Sequence, residues 1–449
     1  HNNNNTDMAK NNLAQVPIIP GVTSEDNILV ESGNRIGRVG VENLKKYLQG
    51  SDMWLQQVAF YIDINEPAGV STNVNVGGNM NMRSMWEAQW RAGIMDANGN
   101  WAELSPENNR YGADGTLVVN PDGTVAEGFE HCDFVNLIPD TYCYIQIIDM
   151  GESIMERLWL SLLPLPGWKE PRQLVGAFKA TTVGGQLRSI PNAEPTRSKT
   201  VRNFWLNAQS RSTNHGLAGV YFRNMLLWYM MSKYGQRSSQ TATLPDGTQI
   251  WGPGLDGTGS ETSTDQYTIV TGQTLHLGAQ DGKVAVLDAK GATCHSVRVK
   301  NFENPWGQFW EDDGHMISFE NEVWAWRANF MPSSSAPTKA DFANVDCDKF
   351  TRHTATITSG ERMNIITGDK PGIFMIPSGT RSGISYGDRF SYAAAGQLWR
   401  WGGSSNNGSD CGLAYSFSNS AWAYSDSYLG ARLAYFGDIT EVDAKDLVA

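Results

Sequence analysis

The sequence predicts an α+β protein in which short strands and loops outnumber helices. Three observations point that way. Charged residues make up only 18% of the 449 residues, while Gly reaches 46 and Trp 16; this balance suits a β- and loop-rich globular chain better than a helical or disordered one. Hairpin-type dipeptides recur at Asn98-Gly99, Asp114-Gly115 and Asp122-Gly123, where glycine meets the positive φ of a tight turn. Firm helical periodicity is confined to two segments, Lys199 to Gln209 and Phe222 to Tyr234.

The elements follow in chain order. The Asn-rich opening, His1 to Gln15, reads as a flexible or partner-wrapped leader. Ile28 to Val39 reads as a hairpin turning at Gly33-Asn34, followed by a short helix over Val41 to Leu48. So little apolar surface does not fold alone and is expected to dock on another chain. Trp54 to Ile64 and Val70 to Met82 alternate and predict strands. Trp86 to Ile94 fits a strand or a short helix. Cys132 to Asp149 predicts two strands broken at Pro139-Asp140, and Arg157 to Leu163 another.

The first firm helix places Val201, Phe204, Trp205 and Ala208 on one face, with Ser198 or Thr196 as its cap. The second carries Met225, Leu226, Tyr229 and Met230 as a core face and stops at Gly235. Thr241 to Asp265 reads as an exposed loop, and Thr268 to Leu287 as edge strands. The aromatic density of Val297 to Gly314 marks that stretch as central. Ser318 to Phe330 and Thr351 to Ser359 predict further strands.

Composition also excludes. At about 450 residues the chain has room for roughly two to three domains. A net charge of −12 argues against nucleic acid and anionic lipid as partners. The apolar run Leu158 to Pro166 is too short to span a bilayer. Cys132, Cys143, Cys294, Cys347 and Cys411 include no CxxC pair and predict buried free thiols, in keeping with folding in a reducing cytosol. No secretory leader is read at the start, and one removed upstream of His1 stays an open alternative.

The C-terminal stretch Pro371 to Gly437 alternates packed segments with small, polar, Tyr-rich ones. Ser404 to Tyr428 contains no Lys, Arg, Glu, Gln or Met although it reads as exposed, where a solvated surface would carry charge. Ser, Gly, Asn and Tyr are the residues of an antibody paratope. On composition two readings stand side by side, a binding surface and a Ser/Asn-rich loop pair.

Asn304-Pro305-Trp306-Gly307-Gln308-Phe309-Trp310-Glu311 resembles the "NPxGNxWEW" motif of C-type-lectin-fold proteins of the formylglycine-generating-enzyme-like branch, and Gly430-Ala431-Arg432-Leu433 resembles that branch's terminal "G-A/F-R" strand. Lys233-Tyr234-Gly235 with Ser239-Gln240, and Thr271-Gly272 with Leu277-Gly278, match as well. Taken together, residues Trp86 to Gly437 are similar to the variable proteins of diversity-generating retroelements, above all those of gut Bacteroidetes and their phages. Arg35 to Leu48, RIGRVGVENLKKYL, resembles the leading peptides of phage tail-fibre proteins.

The resemblance implies a C-type lectin fold over residues 85–449, behind a β-rich connecting region at 51–84 and an N-terminal attachment module at 1–50. It implies a variable region over about 380–430 whose residues point outward from a rigid scaffold. In that family Asn codons are rewritten to NNY, which cannot encode Lys, Glu, Gln, Met or Trp. Trp422 alone breaks that rule between Ser404 and Tyr428 and is expected to be a fixed scaffold residue. The expected ligand-binding residues are Tyr386, Asp388, Ser404, Ser405, Asn406, Asp410, Tyr415, Phe417, Asn419, Tyr424, Asp426 and Tyr428. The implied protein is a receptor-binding protein of a phage tail fibre, a homotrimer in the virion. It would contact a host glycan or outer-membrane protein with its C-terminal face and other tail proteins with its N-terminus. The alternative is a bacterial surface adhesin.

No enzymatic activity, cofactor or metal is expected. Cys411 lacks the partner that copper-dependent relatives use, no pair of histidines has the HxxxHxE spacing of iron-dependent ones, and the EPN, QPD and WND signatures of calcium lectins are missing. His131 and His315 read as hydrogen-bonded structural residues. Glu311, Asp312 and Asp313 could hold a hard cation, although a structural acidic cluster is the preferred reading. Gly252, Gly254 and Gly257 satisfy GxGxxG without a following helix, and Gly383 to Gly387 satisfies GxSxG with no histidine beyond His353.

Overall fold

A computed structural model describes residues 27–32, 35–40, 52–65, 73–149, 151, 154–255, 264–320, 322–351, 359–361, 365–366, 376–377, 388–392 and 397–449. Among them the architecture is mixed α+β, mostly sheet with few helices, and no sheet closes into a barrel. The expected leader and the helix at Val41 to Leu48 lie outside the described residues, as does the segment Ser382 to Gly387 with Tyr386. No helix among the described residues is long and apolar enough to cross a membrane.

The helix Val220–Tyr234 occupies the centre. Every residue from Val220 to Ser232 is buried, so this helix is apolar all round, as a core helix is. Gly235 ends it at φ 63°, its N–H returning to the Met231 carbonyl at 2.9 Å. Phe222, Leu226, Met230 and Trp228 pack in one cluster with Trp306, Trp399 and Trp401. The Met-rich helix is therefore core.

Two larger sheets flank this centre. One runs in the order His215–Leu217, Arg432–Tyr435, Gln173–Lys179, Asp133–Ile138, Gly93–Met95, Asn100–Glu103 and Thr440–Glu441. The other runs Cys347–Thr351, Glu322–Trp326, Trp310–Phe319, Leu398–Trp401, Ser416–Ser420, Arg389–Tyr392 and Ser359–Glu361, with Leu429–Gly430 added parallel to Trp310–Phe319. The strands Phe60–Asn65 and Val76–Gly78 join a third sheet with Ile154–Ser161, Thr141–Asp149 and Trp168–Glu170.

Several sequence expectations meet their elements. Asn27–Ser32 and Arg35–Gly40 pair antiparallel with Ser32 opposite Arg35, leaving Gly33-Asn34 between them. Gly99, Gly115 and Gly123 all take φ between 85° and 90°. The break at Pro139-Asp140 separates Asp133–Ile138 from Thr141–Asp149. All five cysteines are free and buried.

Others are corrected. Trp54 to Ile64 is strand only from Phe60; Asp52–Val58 is helical. Among the described residues of Val70 to Met82 the strand is Val76–Gly78 alone, and Asn79 then caps a helix over Met80–Ala88 by accepting the Met82 N–H at 3.0 Å. A capping side chain outweighs the accidental alternation of Asn and Met. Thr200, not Ser198 or Thr196, caps Val201–Gln209; Thr196 Oγ1 instead accepts from Thr182 N at 2.7 Å. The Thr241 to Asp265 loop is not wholly exposed. Ala242, Ile250, Trp251 and Leu255 are buried, with Trp251 edge-on to Trp306 and its Nε1 donating to the Arg298 carbonyl at 2.7 Å.

Candidate ligand-binding face

Strand Trp310–Phe319 divides the site from its support. Side chains alternate across a strand, and this one sends Glu311 and Asp313 toward the central helix while Trp310 and Asp312 share the opposite face with Arg400, which lies directly across the ladder from Asp312.

On the supporting side Glu311 gathers three buried cations. Its Oε1 accepts from Lys179 Nζ at 2.9 Å and Arg432 at 2.8 Å, and its Oε2 from Arg223 and Arg432. Burial raises its pKa, but the charges of Arg223, Arg432 and Lys179 outweigh that and hold the carboxyl well below its usual range. Lys179 is driven down to about 8, first by burial. Arg432 also donates to the carbonyls of Gly176, Ala177 and Glu303, so this one arginine ties strand Arg432–Tyr435 of one sheet to strand Trp310–Phe319 of the other. The Glu311 carboxylate is thus committed to ion pairs. Asp313 accepts from His315 N at 2.7 Å and Trp401 Nε1 at 2.5 Å, and burial lifts its carboxyl to about 7. His315 hydrogen-bonds the Trp326 and Leu217 carbonyls, and His131 contacts Cys132 Sγ, as structural histidines do.

The Asn304 to Trp310 loop props up the variable stretch. Gln308 Nε2 donates to the Ile269 carbonyl at 2.9 Å, and the Gln308 carbonyl accepts from Ser405 N at 3.0 Å. Gly402 and Gly403 turn the chain away from Leu398–Trp401 at φ 87° and 80°. A Cβ on Gly402 would lie 2.9 Å from the Pro305 carbonyl, and one on Gly403 2.4 Å from Cys411 Sγ.

On the outer side the chain builds an aromatic enclosure around one cation. The Arg400 guanidinium lies 4.8 Å from the Phe417 ring, 5.3 Å from Tyr424, and 5.9 Å from both Tyr428 and Trp310. It donates to Asn419 Oδ1 at 3.1 Å and to Ser420 Oγ. Tyr424 Oη hydrogen-bonds Asp426 Oδ2 and Tyr428 Oη, each at 2.7 Å. Burial tends to raise the Asp426 pKa, but bonds from Tyr424 and Ser427 lower it on balance. Arg400 itself is only 2% exposed, so its guanidinium orders the rings from beneath, and the half-buried Phe417, Tyr424, Asp426 and Tyr428 and the exposed Asn419 are the groups placed to meet a ligand.

The predicted residues divide. Phe417, Tyr424, Asp426 and Tyr428 are half-buried and Asn419 exposed, and the structure brings these together around Arg400. Asn406 and Asp410 are half-buried in the neighbouring turn, Asp410 pairing with Arg389 at 3.0 Å. Asp388, Ser404, Ser405 and Tyr415 do not point outward; all four are buried. The Asp388 carboxylate accepts from Ala414 N at 2.7 Å, Ser404 N donates to Asn407 Oδ1 at 2.7 Å, and Tyr415 packs on Trp310 at 4.5 Å. These short polar residues tie backbone turns down from inside, a role that composition does not separate from exposure. Trp422 is buried.

Arg400, Ser420 and Trp310, which lie beneath or beside the expected face, were not among the expected residues. Arg400 sits in a Leu-Trp-Arg-Trp strand that reads as pure support. The only available signal was a lone cation among buried aromatics.

Asp312 has both carboxylate oxygens buried without a hydrogen-bond partner. Burial raises its pKa well above 3.8, against the pull of Arg400. A raised folded-state pKa contributes stability at low pH that is lost as pH climbs above the unfolded value. Asp312→Asn is therefore expected to fold and to flatten the decline in urea midpoint as pH rises above the usual carboxylate range. A slope equal to that of the wild type would contradict this account.

Neither the models of known protein families nor the curated protein sequences give a match to this chain.

Proposed function

We propose that this chain is a receptor-binding protein at the tip of a phage tail fibre, acting by binding rather than catalysis. In this reading its C-terminal domain has a C-type lectin fold of the formylglycine-generating-enzyme-like branch, and a diversified face contacts a host surface molecule. A homotrimer would turn weak single-site contacts into useful avidity. The observation that carries the reading is the convergence of Phe417, Asn419, Tyr424, Asp426 and Tyr428 on Arg400. These residues come from the stretch whose composition resembles a paratope, and they sit over a strand pinned by the Glu311 ion cluster.

The test is sequencing of the gene's 3′ end across a population grown from one clone. Substitutions should concentrate at the codons of Phe417, Asn419, Tyr424, Asp426 and Tyr428 and spare Glu311, Trp399, Trp401, Trp422 and Arg432. A population uniform at every position would remove the retargetable face from the proposal.

A further inference from the structure

Beneath the aromatic enclosure an acid and a base stand side by side without bonding. Asp312 on strand Trp310–Phe319 and Arg400 on strand Leu398–Trp401 are direct partners across the ladder. Their side chains therefore leave the same face of the sheet, with Cβ atoms about 5 Å apart. Each residue is 2% exposed. Among the described residues neither Asp312 oxygen has a hydrogen-bond partner, and neither has Arg400 Nε. The guanidinium is engaged elsewhere: it donates to Asn419 Oδ1 at 3.1 Å and to Ser420 Oγ, under the rings of Phe417, Tyr424, Tyr428 and Trp310.

This geometry says which form of Asp312 is present. An ionised carboxylate sealed from water and bonded to nothing would cost several kcal/mol, and the arginine beside it would be its natural partner. The neutral acid forgoes only about 1–3 kcal/mol of hydrogen bonding and makes no claim on Arg400. A guanidinium that ignores Asp312 thus marks the acid as protonated. Burial acts in the same direction, raising the Asp312 pKa against the pull of Arg400.

The surroundings leave an ionised Asp312 no other choice. Asp313, beside it on the same strand, is a like charge and adds to the upward shift. Leu429–Gly430, paired to the same strand, carries no titratable side chain. Tyr415, Tyr424 and Tyr428 surround Arg400, and Asp426 is held by Tyr424. The one cation across the ladder is Arg400. Once the proton leaves for solvent, an ion pair to Arg400 Nε and the guanidinium is the available compensation. Forming it takes the guanidinium from Asn419 and Ser420 and from its place under the rings.

We propose that Asp312 is a pH-operated latch beneath the ligand-binding face: protonated, it leaves Arg400 to order the rings, and ionised, it pairs with Arg400 and withdraws it. The role of the latch in binding rests on the reading of that face given above; the movement of Arg400 does not. Asp312 is a positioning residue, since it acts on the face only through Arg400. The face is firm in neutral or acidic surroundings and loosens in alkaline ones.

The test is a pair of crystal structures of the full chain at about pH 5.5 and about pH 9.5, a span that brackets the values reached by buried carboxyls. At the lower pH Arg400 should lie as described. At the higher pH a guanidinium nitrogen should sit about 2.7–2.9 Å from an Asp312 oxygen, with the bonds to Asn419 and Ser420 broken. In parallel, flow cytometry with labelled protein on bacterial cells should show binding about tenfold weaker at the higher pH, a change of about 1.4 kcal/mol. Asp312→Asn should bind equally at both pH values. The wild-type structures decide the movement even if that variant does not fold. Arg400 in one position at both pH values overturns the proposal, whatever the binding does. Movement of Arg400 in a chain whose binding is the same at both pH values overturns the role of the latch at the face. Movement in a chain that binds no cells at either pH upholds the latch and counts instead against the reading of the face.

Discussion

Glutamine in place of Glu311 will cost the fold about 3–5 kcal/mol, the scale for removing one partner of a buried ion pair. Glu311 is the carboxylate on which Lys179, Arg223 and Arg432 converge, and all four side chains are at most 4% exposed. Glutamine keeps the shape but leaves three cations in a desolvated space. It also turns an amide donor toward groups that only donate. The cluster spans the central helix, both large sheets and the penultimate strand, so its loss acts on the whole core. With total stabilities of about 5–15 kcal/mol, that loss is a large share of the margin that keeps the chain folded.

The pH dependence follows from Lys179, whose pKa burial already lowers to about 8. A depressed lysine binds fewer protons in the folded state than its unfolded counterpart. Its contribution therefore grows as pH rises from about 8 toward the unfolded value of 10.5. In Glu311→Gln the proton on Lys179 is easier still to lose, and the deficit should shrink between about pH 7 and pH 9. Lys179→Met in the Glu311→Gln background should recover part of the loss, a non-additivity expected of contacting groups. Urea denaturation of the single and double variants measures both effects. A single-variant loss below about 1 kcal/mol would show that the cluster does not hold the core together.

Methionine in place of Arg400 should cut binding to cells that the wild-type protein binds by about a hundredfold, or roughly 2.7 kcal/mol. Methionine fills much of the same volume among Phe417, Tyr424, Tyr428 and Trp310 but brings neither charge nor donors. Lysine should fall between the two. Its ammonium carries the charge but cannot stack as a plane on Phe417 while reaching Asn419 and Ser420. Flow cytometry with labelled protein reads the binding, and a thermal melt separates it from stability. Wild-type binding by a folded Arg400→Met chain would remove Arg400 from the ligand site.

Much of the architecture was legible in the chain itself, because the signals were local. Two helices announced themselves through apolar spacing, and Gly235 marked the end of the second because glycine is at ease in a left-handed cap. Gly99, Gly115 and Gly123 marked turns for the same reason. Local signals failed where a neighbour decided. Met80–Ala88 became helix because Asn79 capped it, although the residues alternate as a strand would.

The site shows the same division. The composition of Ser404 to Tyr428 singled out a stretch rich in Ser, Asn and Tyr, and the aromatic density of Val297 to Gly314 marked that stretch as central. Which of those polar residues face outward was settled by packing. Asp388, Ser404, Ser405 and Tyr415 turn inward to satisfy backbone groups and to cover Trp310, while Phe417 and Tyr424 remain at the rim. Nothing in a Leu-Trp-Arg-Trp strand says that its arginine becomes the centre of an aromatic enclosure. That follows from register, which sets Arg400 opposite Asp312 on one side and Phe417 on the other. Pairing across strands joins residues far apart in sequence, and only the folded sheet decides which of them meet.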